Sequence, residues 1–304
     1  MLGIEPFADE HLDAAAELLA ARHARHREAE PLLPADVDFR AQIVADWDPE
    51  TAGAFAWSDG EPVGYVVGKP NPKLGFRVGI GGSAVRGDAE VVRDLYGAVA
   101  GSWREAGYPH HDAFVPASDT DLIDAWFRLD FGASAVLGMR QTSAEAEFDG
   151  GVVIRPGTAD DLSGAAALAA AMDRSMEPPP SFSHVRYADE EYVDDWRGTW
   201  DDPQFTHFVA ERDGRLVGHL LLYRRPPDLR VPADSIDLAA ASTLPDVRGS
   251  GIGRALTQHA IAWAHDQGIR TMTTDWRMTN LFASRFWPRR GFRPTFLRLH
   301  RNLS

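Results

Sequence analysis

The sequence predicts an α/β protein in which one folding unit is used twice. Three observations carry that expectation. The 304 residues are 44% hydrophobic, enough to bury one large core or two medium ones. The same order of elements can be read in both halves of the chain. Paired glycines and aromatics recur at nearly constant offsets between the halves.

Taken in order, "IEPFADEHLDAAAELLAA" and "IRPGTADDLSGAAALAAAM" each open with a short strand. A turn with a capping Asp or Thr and an alanine-rich helix follow. Next come "AFAWSDGEPVGYVV" (54–67) and "HFVAERDGRLVGHLLL" (207–222), two strands about an Asp-Gly turn, the signature of a β-hairpin. Gly60 and Gly64 match Gly214 and Gly218 at an offset of 154. After a further strand, residues 88–107 and 251–268 read as amphipathic helices ended by glycine. Val92, Leu95, Tyr96, Val99 and Trp103 form one apolar stripe, and Ile252, Ala255, Leu256, Ala260 and Trp263 the other. Here Gly107, Trp126 and Phe131 match Gly268, Trp287 and Phe292 at an offset of 161. The change of offset falls in the connection after the hairpin, where insertions are absorbed. The polar stretch 142–151 marks the boundary, so the expected domains are 1–146 and 151–304.

Charge and composition exclude several functions. A formal net charge of -14 argues against nucleic acid. Residues 1–150 hold 12 basic and 26 acidic side chains, whereas residues 151–304 hold 19 of each, every basic one an arginine. A half that holds a polyanion would be the second. The absence of cysteine removes disulfides, thiolate metal sites and a thiol-bound acyl intermediate. No apolar run approaches a membrane span, and the N-terminus lacks a signal-peptide pattern, so a cytoplasmic location is expected. His23 and His26, on a highly charged helix, and His110 with His111 have no convincing further ligand. No metal is expected.

The most informative stretch is "DVRGSGIGRAL" (246–256). Glycines before a helix leave N–H groups exposed at its positive end and let an anion approach the backbone. The P-loop lysine is missing, and Arg254 stands where a dinucleotide fingerprint needs its last glycine. Arg248-x-x-Gly251-x-Gly253 instead resembles the pyrophosphate loop of the GCN5-related N-acetyltransferase (GNAT) superfamily. "NLFASRFWPRRGF", with Asn280, Ala283, Gly291 and Phe292, resembles that family's next segment.

The resemblance implies two consecutive domains, each a mixed, mostly antiparallel twisted sheet flanked by helices. It implies acetyl-CoA on the second domain, held by Arg248, Gly249, Ser250, Gly251, Ile252, Gly253 and Arg254, by Ala241, Ser242 and Thr243 where two strands splay apart, and by Asn280 and Ser284. In the first half, Gly87, Glu90 and Val92 fall opposite Arg248, Gly251 and Gly253, and Asp119 opposite Asn280. A carboxylate and two Cβ atoms would stand where a diphosphate should rest. That half is expected to keep the fold without binding the nucleotide.

The implied reaction is acetyl transfer from acetyl-CoA to a small-molecule primary amine by direct attack in a ternary complex. Trp287 occupies the family's tyrosine position and cannot protonate a thiolate; water or Ser284 would substitute. Asp275 is the first candidate base, ahead of Asp237 and Glu177. For the acceptor, Glu177, Phe182 and Tyr187 lie in a stretch (177–202) rich in aromatics and carboxylates. It would suit a cationic amine, or else form an amphipathic helix with Tyr192 and Trp196 inward. A non-catalytic acyl-CoA sensor or scaffold is the alternative. The chain is expected to act as a monomeric pseudo-dimer or a homodimer.

Overall fold

The computed structural model describes all residues except 72–74, 145–149, 184–188 and 304, with side chains undescribed at 189 and 190. The chain divides into two compact units. One comprises Met1–Leu137, Pro227–Pro232 and Pro294–Ser304, the other Gly138–Pro226 and Ala233–Arg293. This differs from the contiguous division 1–146 and 151–304 chiefly in the last strand. Among the described residues no helix is long and apolar enough to cross a membrane.

The first unit begins with β1 (Leu2–Pro6), α1 (Leu12–Ala29) and α2 (Phe39–Asp46). The Asp-Gly turn then joins β2 (Ala54–Ser58) to β3 (Glu61–Val66). Asp59 and Gly60 both take positive φ, 53° and 87°, the combination a two-residue hairpin turn requires. Strands β4 (Lys69–Asn71), β5 (Gly75–Val78) and β6 (Ser83–Val85) precede α3 (Val91–Glu105), β7 (His110–Pro116), α4 (Thr120–Phe127) and β8 (Gly132–Gln141), which runs on into the second unit. Strands β1-β2-β3-β6 form one sheet; β4, β5 and β7 lie in another. The predicted stripe of α3 is buried in full and packs with Phe76, Trp126 and Phe131.

The second unit contains β9 (Val153–Pro156), α5 (Leu162–Arg174), α6 (Asp189–Trp200), β10 (Phe205–Arg212), β11 (Arg215–Tyr223), β12 (Ser235–Thr243), α7 (Ile252–Asp266), β13 (Thr271–Arg277) and α8 (Leu281–Phe286). Its strands lie in the order β13-β12-β11-β10-β9, antiparallel except for the β12–β13 pair. The offset of 161 is met residue for residue: α3 and α7, β7 and β13, and the first residues of α4 and α8 all differ by that number. On α7, Ile261 and Ala264 are buried and Trp263 only partly so. The stripe is therefore rotated slightly from the sequence reading.

The final strand, β14 (Arg293–Asn302), pairs antiparallel with β7, Phe296 opposite Pro116 and Leu299 opposite Ala113. Phe296 and Leu299 are fully buried, and Phe296 meets the His26 ring edge-on at 4.7 Å. The strand thus completes the first unit's core. Removing those two apolar side chains from water fixes its place there.

Candidate active site

The site lies where the second unit's sheet opens. Strands β12 and β13 pair in parallel from Ser235↔Thr271 to Leu238↔Thr274, and the ladder stops there. At the same point the β11–β12 register slips between Leu221 and Leu222, leaving Ala239 as the extra residue of a bulge. A bulge bends and twists its strand, so β12 leaves β13 just after Leu238. Burial follows the bend: residues 235–238 are buried, whereas Ala239 is exposed and 240–243 are half-buried.

The alternation of an antiparallel pair shows which main-chain groups face the opening. Leu244 N–H donates to Val217 C=O at 3.0 Å. In the register Ser242↔His219 and Ala240↔Leu221, those residues therefore bond to β11. Ala241 and Thr243 direct their N–H and C=O groups away from it, into the gap.

The gap leads to the start of α7. Gly249 and Gly251 have φ of 83° and 94°, left-handed values costly for any residue with a Cβ. Ala255 N–H donates to Gly251 C=O as the first turn of the helix closes, so the N–H groups of Ile252, Gly253 and Arg254 precede the helical ladder. Gly253 lies under α8: a Cβ there would sit 3.8 Å from the Phe286 ring and 3.9 Å from Thr243. Ser250 Oγ donates to Val247 C=O at 2.7 Å, tightening the loop.

These elements surround a cavity of about 800 Å³. Of the sequence-derived residues, Ala241, Ser242, Thr243, Arg248, Gly249, Gly251, Gly253, Arg254, Asp275 and Asn280 line it, as does Trp287. Ile252 is buried in the α7 core instead. Ser250 is exposed and Ser284 half-buried, neither on the lining. Asn280 caps α8, its Oδ1 accepting from Phe282 and Ala283 N–H at 3.1 Å each. Asp237 is buried and committed, to Arg225 at 2.7 Å and Thr273 Oγ1 at 2.6 Å. That leaves it no base role.

Charge on the lining is one-sided. Among the described residues Arg248, Arg254, Arg277, Arg285, Arg289 and Arg290 stand against a single acid, Asp275. Burial, with Arg254 and Arg289 nearby, pushes the Arg290 guanidinium below its ordinary value; its Cζ lies 4.6 Å above the Phe286 ring. Arg248 sits over the Phe282 ring at 5.6 Å. The sequence reading named only Arg248 and Arg254. The available signal for the others was the arginine-only basic content of the second half and the run "RFWPRRGF".

The proposed acceptor residues are placed differently. Glu177 and Phe182 are exposed and off the lining, and Tyr187, like His184, lies outside the described residues. Phe182 has φ of 46°, a strained conformation for an aromatic residue. On α6, Tyr192 and Trp196 are buried while Glu191, Asp194 and Asp195 are exposed, so the amphipathic reading holds. Tyr192 donates to Asp173 at 2.7 Å, and Trp196 and Trp200 cover the neighbouring buried histidines 207 and 219.

In the first unit the corresponding place is occupied by the chain. Glu90 stands at the start of α3, bound to Arg93 at 2.6 Å and Arg128 at 2.9 Å, and Val92 is fully buried. The counterpart of β12 is broken: β5 stays with β7, β6 with β3. The turn between them is gripped by Arg22, which donates to Ile80 and Ser83 C=O, by Tyr65 Oη donating to Gly81 C=O at 2.6 Å, and by Asp46 accepting from Gly81 N–H at 2.7 Å. Helix α1, read from sequence as a highly charged helix, thus turns Arg22, His23 and His26 inward.

Residues 169–292 match the family model "Acetyltransferase (GNAT) family". The segment 169–292 is a GNAT-family segment. A GCN5-related N-acetyltransferase from Sphaerobacter thermophilus superposes with a TM-score of 0.64 at 16% identity, covering 99% of this chain and 96% of that one. A tandem GNAT protein from the clavulanic acid biosynthesis pathway superposes at 0.55 with 14% identity, over 100% and 99%. The fold is therefore a tandem of two GNAT-like halves. In sequence, a mycothiol acetyltransferase of Cellulomonas flavigena is 34% identical over 101 residues, 32% of this chain but 28% of that protein. An uncharacterised N-acetyltransferase of Mycobacterium bovis is 29% identical over 92 residues, 30% of this chain and 55% of its own. The chain thus matches about a quarter to a half of the length of these relatives.

Proposed function

We propose that this GNAT protein transfers an acyl group, acetyl in the first instance, from CoA to the primary amine of a small molecule, using the second half alone. The observation that carries the reading is the arginine-lined cavity running from the β12–β13 opening to the left-handed glycines at the head of α7. The diphosphate would rest on the N–H groups from Gly249 to Arg254, where the helix dipole and Arg248 and Arg254 favour an anion. The pantetheine arm would lie along β12 as an added strand. Its partners would be the main-chain groups of Ala241 and Thr243, with Ser242 between them. Asn280, already spent on its cap, would orient α8 rather than grip the ligand through Oδ1.

In the reaction, Asp275 accepts a proton from the ammonium group, and the amine lone pair attacks the thioester carbonyl carbon. A β12 N–H polarises that carbonyl. The second amine proton passes to water, the C–S bond breaks as the tetrahedral intermediate collapses, and the thiolate takes a proton back from water. Ser284, off the lining, is given no part. The tests are calorimetric titration with acetyl-CoA and release of free thiol with a panel of amines. One binding event per chain with amine-dependent thiol release is expected. Binding without turnover would favour a sensor, and no binding would overturn the reading.

A further inference from the structure

We infer that the acceptor is zwitterionic, an α-amino acid with an apolar side chain, its ammonium group at Asp275 and its carboxylate at Arg277. This rests on the acyltransferase reading above. Asp275 and Arg277 are two residues apart near the end of β13 and both line the cavity. Strand alternation puts them on the same side, about 7 Å apart along the chain. That is one acid and one base on the wall where the amine must arrive.

Arg277 belongs to a different wall from the arginines of α7 and the turn after α8. Its Nη1 donates to Ser183 Oγ, and Ser183 N–H donates to Met176 C=O at 2.9 Å. Those contacts fasten the end of β13 to the segment after α5; Met176 of that segment and Met172 of α5 also line the cavity. The acceptor end therefore combines one carboxylate, one guanidinium and two thioethers. A guanidinium fork is suited to a carboxylate, and methionines adapt to varied apolar side chains.

The same lining disfavours the simple cationic amine. Among the described residues Asp275 is its one acid against six arginines, and Glu177, Glu191, Asp194 and Asp195 are exposed and off the lining. A polyamine or multiply charged aminosugar would meet like charge, whereas a zwitterion brings its own anion.

The test compares matched pairs on the full-length protein, by thiol release with saturating acetyl-CoA. L-methionine is set against 3-(methylthio)propylamine, and L-phenylalanine against phenethylamine. The inference expects kcat/KM to favour each amino acid by about 30-fold, through KM. Arg277→Met should collapse that ratio to near one, and Arg277→Lys should restore part of it. Melting and acetyl-CoA titration of each variant show that it is folded. Equal use of amine and amino acid by the wild type, or an unchanged ratio in Arg277→Met, would overturn the inference while leaving acyl transfer standing. Turnover of neither class despite acetyl-CoA binding would overturn both this assignment and the catalytic reading. Failure to bind acetyl-CoA would remove the parent reading first.

Discussion

Replacing Gly251 by glutamate copies Glu90 of the first unit into the second and tests the nucleotide assignment. Two effects can be separated. Gly251 has φ of 94°, so any side chain costs about 1–2 kcal/mol of backbone strain. A carboxylate at the head of α7 recovers roughly 0.3–1 kcal/mol from the helix dipole. Net stability should therefore fall by about 1 kcal/mol. Against a bound diphosphate the same carboxylate is a like charge. At about 5 Å and an effective dielectric constant of about 20 the repulsion is about 3 kcal/mol per unit charge, at least 100-fold in Kd. Gly251→Ala carries the strain without the charge. Calorimetric titration with acetyl-CoA and a melting curve should show both variants slightly destabilised and only the glutamate variant at least 100-fold weaker. Equal loss in both would assign the effect to loop distortion. Undiminished affinity in the glutamate variant would refute the placement of the phosphates.

Asp119 caps α4, its side chain accepting from Leu122 N–H at 3.1 Å; Asp119→Ala should lower stability by about 1 kcal/mol and Asp119→Asn by much less, with acetyl-CoA affinity untouched in both. A drop in affinity would mean that the first unit takes part in binding. Trp287→Phe should leave kcat within roughly threefold, since indole N–H gives no proton to a thiolate; a loss beyond tenfold at unchanged acetyl-CoA affinity would give the indole a chemical role. His219 is buried neutral, its pKa pushed down to about 3 by desolvation first and then by His207. A histidine whose folded pKa is depressed favours the fold above its unfolded value of about 6.5 and withdraws that support as pH falls below it. Denaturant midpoints should decline from pH 6.5 to 4.5, and His219→Gln should flatten part of that slope; an identical slope would show that other groups govern it.

Why so much was legible in the sequence can be argued from particular residues. Helix periodicity and terminal glycines depend on neighbours a few positions away, so α3 and α7 could be aligned and were found at the same offset. The left-handed turn before α7 was readable because only glycine enters that conformation cheaply. The pairing of Asp119 with Asn280 had a second meaning that sequence comparison missed. Both cap a helix, a local duty that either residue performs, so their difference bears less on the cofactor than on the cap.

What the sequence determined by itself was the repeated α/β unit, the family resemblance, and the position of the glycine loop at a strand-to-helix turn, because each depends on local pattern. Tertiary structure decided what depends on distant segments meeting. It placed β14 beside β7, where Phe296 and Leu299 find a core. It gathered Arg277, Arg285, Arg289 and Arg290 with Arg248 and Arg254 around one cavity, although the two groups are separated in the chain. It also turned Glu191, Asp194 and Asp195 of α6 to solvent, since Tyr192 and Trp196 gain more by burial than charged groups could, so that among the described residues Asp275 is the one acid on the lining.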